Sequence, residues 1–150
     1  MSLNRLREWV AVRLTGNFTT TATGATSTAL TFNVVSGEVW FVDVQVTAQC
    51  SSTGGVKYAV AAPAGSTIEG WVYSSTSAVA TLSYQRLTAI ATLTGTLLHT
   101  VATTPAPDVI RFVLVAGATG AVTIQAASGT SGQTTTLFQN GVLTARRCAA

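Results

Sequence analysis

Along much of the chain, apolar and polar side chains alternate with a period of two. In 37–49, Trp40, Val42, Val44, Val46 and Ala48 fall on one face. Val39, Phe41, Asp43, Gln45, Thr47 and Gln49 fall on the other. This pattern predicts a long strand with one face in a core. Segment 56–62 repeats it, with Val56, Tyr58, Val60 and Ala62 against Lys57, Ala59 and Ala61, and 120–127 does so with Val122, Ile124 and Ala126. In 108–117, Val109, Arg111, Val113 and Val115 alternate with Ile110, Phe112 and Leu114. Both sets are largely apolar, so a strand buried on both sides is expected there.

Turn chemistry separates these runs: Ser36-Gly37, Gly54-Gly55, Pro63-Ala64-Gly65, the stretch from Pro105 to Asp108, Gly117 to Gly120, Ser128 to Gly132, and Asn140-Gly141. Turns recur about every ten residues, the rhythm of a β-sandwich or jelly roll. The expected fold is therefore all-β: an antiparallel, jelly-roll-like sandwich in a single domain over 15–150, preceded by an amino-terminal arm or first strand over 1–14. Gly117 to Gly120 reads as a tight hairpin, Asn140-Gly141 as a hairpin turn or a bulge, and Asp108 as a turn-former after Pro107. Residues 15–29, rich in Thr, Ala and Gly, read as a surface loop. The spacing of Leu3, Leu6 and Val10 also fits a short helix.

Composition sharpens this picture. Charged residues make up 9% of the chain, against about 25% in an ordinary soluble domain. With 47% apolar residues, the chain is neither disordered nor a coiled coil. The net charge of +3 resides at the ends: Arg5, Arg7 and Arg13 accompany Glu8, and Arg146 and Arg147 come late. The body is nearly neutral and holds the single lysine, Lys57. Nucleic-acid binding needs clustered Lys and Arg that track phosphates, so it is not expected. No secretion-signal pattern and no membrane-spanning apolar run is legible, and neither membrane nor cofactor is expected as a partner.

Arginine makes forked hydrogen bonds and is weakly hydrated, which suits protein contacts. Arg5, Leu6, Arg7, Trp9, Val10 and Arg13 are accordingly candidates for docking on an adjacent protomer; the alternative is that the terminal arginines merely solubilise the ends. Threonine-rich strands carry little of the charge that ordinarily protects sheet edges. Either the fold closes those edges or other copies of the chain cover them. Self-association, as a trimer by the resemblance below, is the expectation.

No catalytic motif is present. His99, in TGTLLHTVATT, has no nearby carboxylate and reads as structural rather than as a base. Glu69 beside Trp71 suggests a sugar subsite or, with Tyr73, an interface; a small hydrolase or lyase would have to rest on His99 or Glu69. No spacing of Cys, His or Asp suggests a metal. Cys50 and Cys148 allow one bridge from the carboxy-terminal segment to the body, or two free thiols. Trp40, Phe41, Trp71 and Phe112 are candidates for core or interface anchors.

The order of elements resembles small β-sandwich structural proteins of tailed-phage virions, above all trimeric capsid decoration (cement) proteins. A polar lead-in runs to GEVWFVDVQVTAQ; a Gly-rich turn, a strand and Pro-Ala-Gly follow; a later strand leads to AGATG and VTIQAA, and a last strand ends LTARRCA. The resemblance implies a non-enzymatic virion protein, made in the host cytoplasm, seated as a trimer on the major capsid protein at the capsid surface. A second reading from another class is a trimeric receptor- or glycan-binding head of a tail protein, with Trp71 and Tyr73 as contacts.

Overall fold

A computed structural model describes residues 8–51, 55–75, 82–95, 97–98 and 104–148. Among them run β1 (Trp9–Arg13), β2 (Phe18–Thr20), β3 (Thr26–Val34), β4 (Val39–Cys50), β5 (Gly55–Ala61), β6 (Thr67–Ser75), β7 (Leu82–Leu87), β8 (Leu97–Leu98), β9 (Ala106–Val115), β10 (Gly120–Ser128), β11 (Thr135–Leu137) and β12 (Val142–Cys148). The chain is all-β, and every strand pairing is antiparallel. The larger sheet runs β1-β12-β4-β9-β6-β7, and the smaller β3-β10-β5-β8. Strand β11 pairs β4 beyond the end of β12, and β2 pairs β11. Among the described residues, no helix is long and apolar enough to cross a membrane.

Strand β4 is the spine. Its inward residues Trp40, Val42, Val44, Val46 and Ala48 are all buried, as their alternation predicts. They meet Leu30, Phe32, Val60, Val122 and Ile124 of the smaller sheet in one core. The Phe32 and Trp40 rings lie 5.3 Å apart, tilted by 58°. The β3–β4 connection is tight: Gly37 takes φ +82°, and the Glu38 N–H donates to the Val35 carbonyl at 3.1 Å. A side chain at position 37 would be strained in that backbone region.

Several expectations change. Gly117 to Gly120 is no hairpin, because β9 belongs to the larger sheet and β10 to the smaller; the turn carries the chain between layers. Residues 15–29 are not a plain loop, since they hold β2 and the start of β3. Threonine's branched side chain suits the pleat, and Thr28 Oγ1 donates to the Ile124 carbonyl at 2.8 Å. Asn140-Gly141 lies between β11 and β12, two strands aligned along β4. Leu14 holds this turn: its N–H donates to Gly141 O at 2.8 Å, and its carbonyl accepts from Asn140 N–H at 2.9 Å.

Asp108 does not form a turn. It lies within β9, faces inward and is fully buried. Its Oδ2 accepts a hydrogen bond from the Tyr58 hydroxyl at 2.6 Å. Strand β9 is buried on one side only, because among the described residues no second layer covers the outer face of the larger sheet. Ile110, Phe112 and Leu114 are inside, while Val113 and Val115 are exposed.

Strand β1 pairs along its length with β12 of the same chain, from Trp9 opposite Arg146 to Arg13 opposite Val142. Val10 and Val12 pack against the core. Removing residues 1–13 therefore strips a strand from the sheet rather than trimming a free arm.

Candidate interaction surface

The outer face of the larger sheet follows from strand register. One row across it runs Trp9, Arg146, Phe41, Val113, Glu69. The next runs Ala11, Thr144, Asp43, Arg111, Trp71, Arg86, and a third runs Arg13, Val142, Gln45, Val109, Tyr73, Tyr84. Among the described residues, seven of the eight exposed large hydrophobics share this face, with exposures from 37% for Phe41 to 62% for Trp9 and 63% for Tyr84. Six strands about 4.8 Å apart and about nine residues long present on the order of 800 Å². Large apolar side chains exposed together on one face, here among charged and polar ones, suit an interaction surface.

Most charges on the face are paired within it. Arg111 Nε contacts Asp43 Oδ2 at 2.5 Å across β9 and β4, and Arg86 Nη2 contacts Glu69 Oε1 at 2.7 Å. The Arg86 guanidinium also lies 5.5 Å from the Trp71 ring centre. Trp71 meets Tyr84 edge-on at 6.0 Å. At the opposite flank, Arg146 lies 6.0 Å over the Phe41 ring. Trp9, Phe41, Asp43, Gln45, Thr144 and Arg146 line an open depression there.

A second charged group fixes the rim. Glu38 accepts hydrogen bonds from Val35 N–H at 2.9 Å, from Trp40 Nε1 at 3.0 Å and from Arg147 Nη1 at 2.5 Å. Arg147 also reaches Glu8 at 3.2 Å. Burial pushes the Glu38 carboxyl upward, but the hydrogen bonds from Val35, Arg147 and Trp40, with the Arg147 charge, outweigh it and hold the group below its usual value. The cluster ties the β3–β4 turn to β12 and to the residue before β1.

Of the residues expected to dock on a neighbour, Arg5, Leu6 and Arg7 lie outside the described residues, as does His99, expected to be structural. Trp9 and Arg13 point outward from β1, and Arg13 donates to Asn140 Oδ1 at 3.4 Å. Val10 turns toward this chain's own core, so it offers a neighbour little. Trp71 and Tyr73 stand on β6 mid-sheet, not at a loop end. Phe41 and Trp71 are outward-facing, whereas Trp40 and Phe112 belong to the core.

Glu69 faces Arg86 rather than a second carboxylate. Cys50 and Cys148 are free. Cys148 pairs with Val39 at the start of β4 while Cys50 ends that strand, roughly 35 Å away at strand rise. A disulfide needs Cα atoms within about 7 Å, so the bridge is excluded within one chain. Among the described residues, no group of three His, Cys, Asp or Glu is placed to hold a metal ion.

Sequence reasoning missed Tyr84, Val113 and Val115 as surface residues. The signal was the apolar run on both faces of β9, which was read as burial inside the protomer.

No protein-family model matches the chain, and no curated protein matches it. Among solved structures, the Eiger TNF of S. frugiperda aligns over 95% of this chain and 94% of its own, at 11% identity and a TM-score of 0.41. The VP2 subviral particle of infectious bursal disease virus aligns over 94% of this chain and 40% of its own, at 9% identity and a TM-score of 0.25. A T=1 particle derived from the same virus gives 9% identity and a TM-score of 0.26, over 96% of this chain and 36% of that one. None of these likenesses bears on function.

Proposed function

We propose that this chain is a non-enzymatic structural protein that assembles with copies of itself through the outer face of its larger sheet. Following the sequence resemblance, the assembly is a trimer seated on the outside of a tailed-phage capsid. The single observation that carries self-assembly is the uncovered face of β1, β12, β4, β9, β6 and β7, with Trp9, Phe41, Trp71, Tyr73 and Tyr84 in water. At on the order of 800 Å², its area matches one side of a standard protein interface. Copies bound to a preassembled shell stabilise it by mass action, since each contributes only to the assembled state. Light scattering tests the first step, with a mass near three chains expected. Co-sedimentation with tailed-phage capsids tests the second. A monomer at all concentrations overturns the reading.

One observation favours a second reading, a glycan- or receptor-binding head. Trp71, Tyr73 and Tyr84 form a solvent-facing aromatic group beside the Arg86–Glu69 pair, and flat aromatic faces suit stacking on sugar rings. A glycan array separates the two readings: saturable binding that is lost in Trp71→Ala, by an otherwise monomeric protein, selects this one.

A further inference from the structure

The apolar face has two unlike halves, and their difference says how copies meet. One flank holds Trp9, Phe41 and Arg146 around the open depression. The other holds Trp71, Tyr73 and Tyr84 beside Glu69 and Arg86. Between them runs the Asp43–Arg111 pair. We infer that, in the self-assembly proposed above, the Trp9–Phe41–Arg146 half of one copy seats on the Trp71–Tyr73–Tyr84 half of the next.

Charge favours unlike halves. Placing two Trp9–Phe41–Arg146 halves together brings two Arg146 guanidiniums into one water-poor contact, and the carboxylate bordering that half, Asp43, is held by Arg111. In the opposite half Glu69 is likewise held, by Arg86, but the ring of Tyr84 stands outward and attracts a guanidinium through its electron-rich face. The depression lies in one half, and the other offers it the well-exposed ring of Tyr84.

Area favours closure. One junction uses half a face, on the order of 400 Å² per partner, which is small for a stable pair. A closed ring uses both halves of every copy and covers the whole face. Unlike halves that meet head to tail produce such a ring when the rotation closes.

The test is complementation in trans. A first variant, Trp9→Ala with Arg146→Glu, disables one half; a second, Trp71→Ala with Tyr84→Ala, disables the other. Each alone is expected to dissociate at a concentration at least tenfold above wild type. In the mixture, cross-linking is expected to trap a 1:1 heterodimer, joined by the single junction in which both halves are intact, that neither variant gives alone. No heterodimer above the single-variant level overturns the inference while leaving self-assembly standing, whereas a monomeric wild type removes both.

Hydroxyl-radical footprinting of the unmodified protein, read residue by residue by mass spectrometry, supplies a second readout that does not depend on how the variants fold. Assembly is expected to shield both Trp9 and Trp71, with Trp40 shielded throughout. Shielding of Trp9 with Trp71 still oxidised, or the reverse, points to like halves meeting and overturns the inference.

Discussion

The Tyr58 hydroxyl donates a 2.6 Å hydrogen bond to Asp108 Oδ2, joining β5 of the smaller sheet to β9 of the larger one through the core. Both residues are fully buried. Burial first, and then the neighbouring Asp108 carboxylate, keep the Tyr58 phenol well above its ordinary range, so it remains a donor at any working pH. The backbone of Tyr58 is anchored too, its N–H donating to Thr94 Oγ1 at 3.1 Å and its carbonyl accepting from Thr94 N–H at 2.8 Å. Tyr58→Phe removes one donor from a buried carboxyl and keeps the ring. A loss of about 1–3 kcal/mol is expected, read as a lower urea midpoint with an unchanged slope. An unchanged midpoint rules out a stabilising role for the bond.

Glu38 makes stability depend on pH with a definite sign. Its folded pKa lies below the unfolded value, near 4.5. Its contribution is therefore complete above the unfolded value and is lost as pH falls through the folded one. Glu38→Gln is expected to destabilise the protein at neutral pH. The gap to wild type narrows below about pH 4.5 and closes under the folded pKa. Urea titrations from pH 7 to pH 3 check this; a gap that widens in acid contradicts it.

Gly70 has no room for a side chain. A Cβ there meets the Arg111 carbonyl oxygen at 2.1 Å and Phe112 Cβ at 2.5 Å. Both neighbours belong to β9, paired with β6 on the spine side, so the strands must separate locally. Gly70→Ala is expected to cost about 1–3 kcal/mol or more, and circular dichroism melts against wild type measure it.

Val113 stands outward in the middle of the uncovered face. Val113→Lys is expected to leave protomer stability within about 0.5 kcal/mol, as surface changes do, while lowering the assembled mass by placing a charge at the centre of the contact. Unfolding followed at low protein concentration separates the two effects. Unchanged assembly shows that the middle of the face stays wet.

The two thiols are expected to react in order. Cys50 is buried, its Sγ lies 3.6 Å from Thr135 Oγ1, and burial chiefly pushes its pKa upward. Cys148 is partly exposed. A thiol reagent is expected to label Cys148 in the native protein and Cys50 only on unfolding, and non-reducing electrophoresis is expected to show no bridge within a chain.

The period-two runs made β4, β5, β9 and β10 legible, because a one-residue shift would turn Trp40 and Val44 into water. Short strands such as β2 and β11 were not legible. Three residues carry no measurable period, and β11 exists because β4 is long enough to pair with two strands in line. Asp108 was misread because Pro107 and Asp108 look like turn chemistry, whereas here Pro107 opens onto the uncovered face and Asp108 finds Tyr58, fifty residues earlier in the chain. The candidate surface was half legible. Scarce charge predicted shelter by other copies, but only the register shows that Phe41, Val113, Trp71 and Tyr84 share one plane.

The alignment of β12 and β11 along one side of β4 sets a schedule for synthesis. A ribosome adding about 5–20 residues per second releases β4 on the order of 5–20 s before its last partner emerges. During that interval a long, nearly uncharged strand is open to any other nascent chain on the same message. Sparse polysome loading or a holding chaperone during that interval is expected to raise the yield of folded protein.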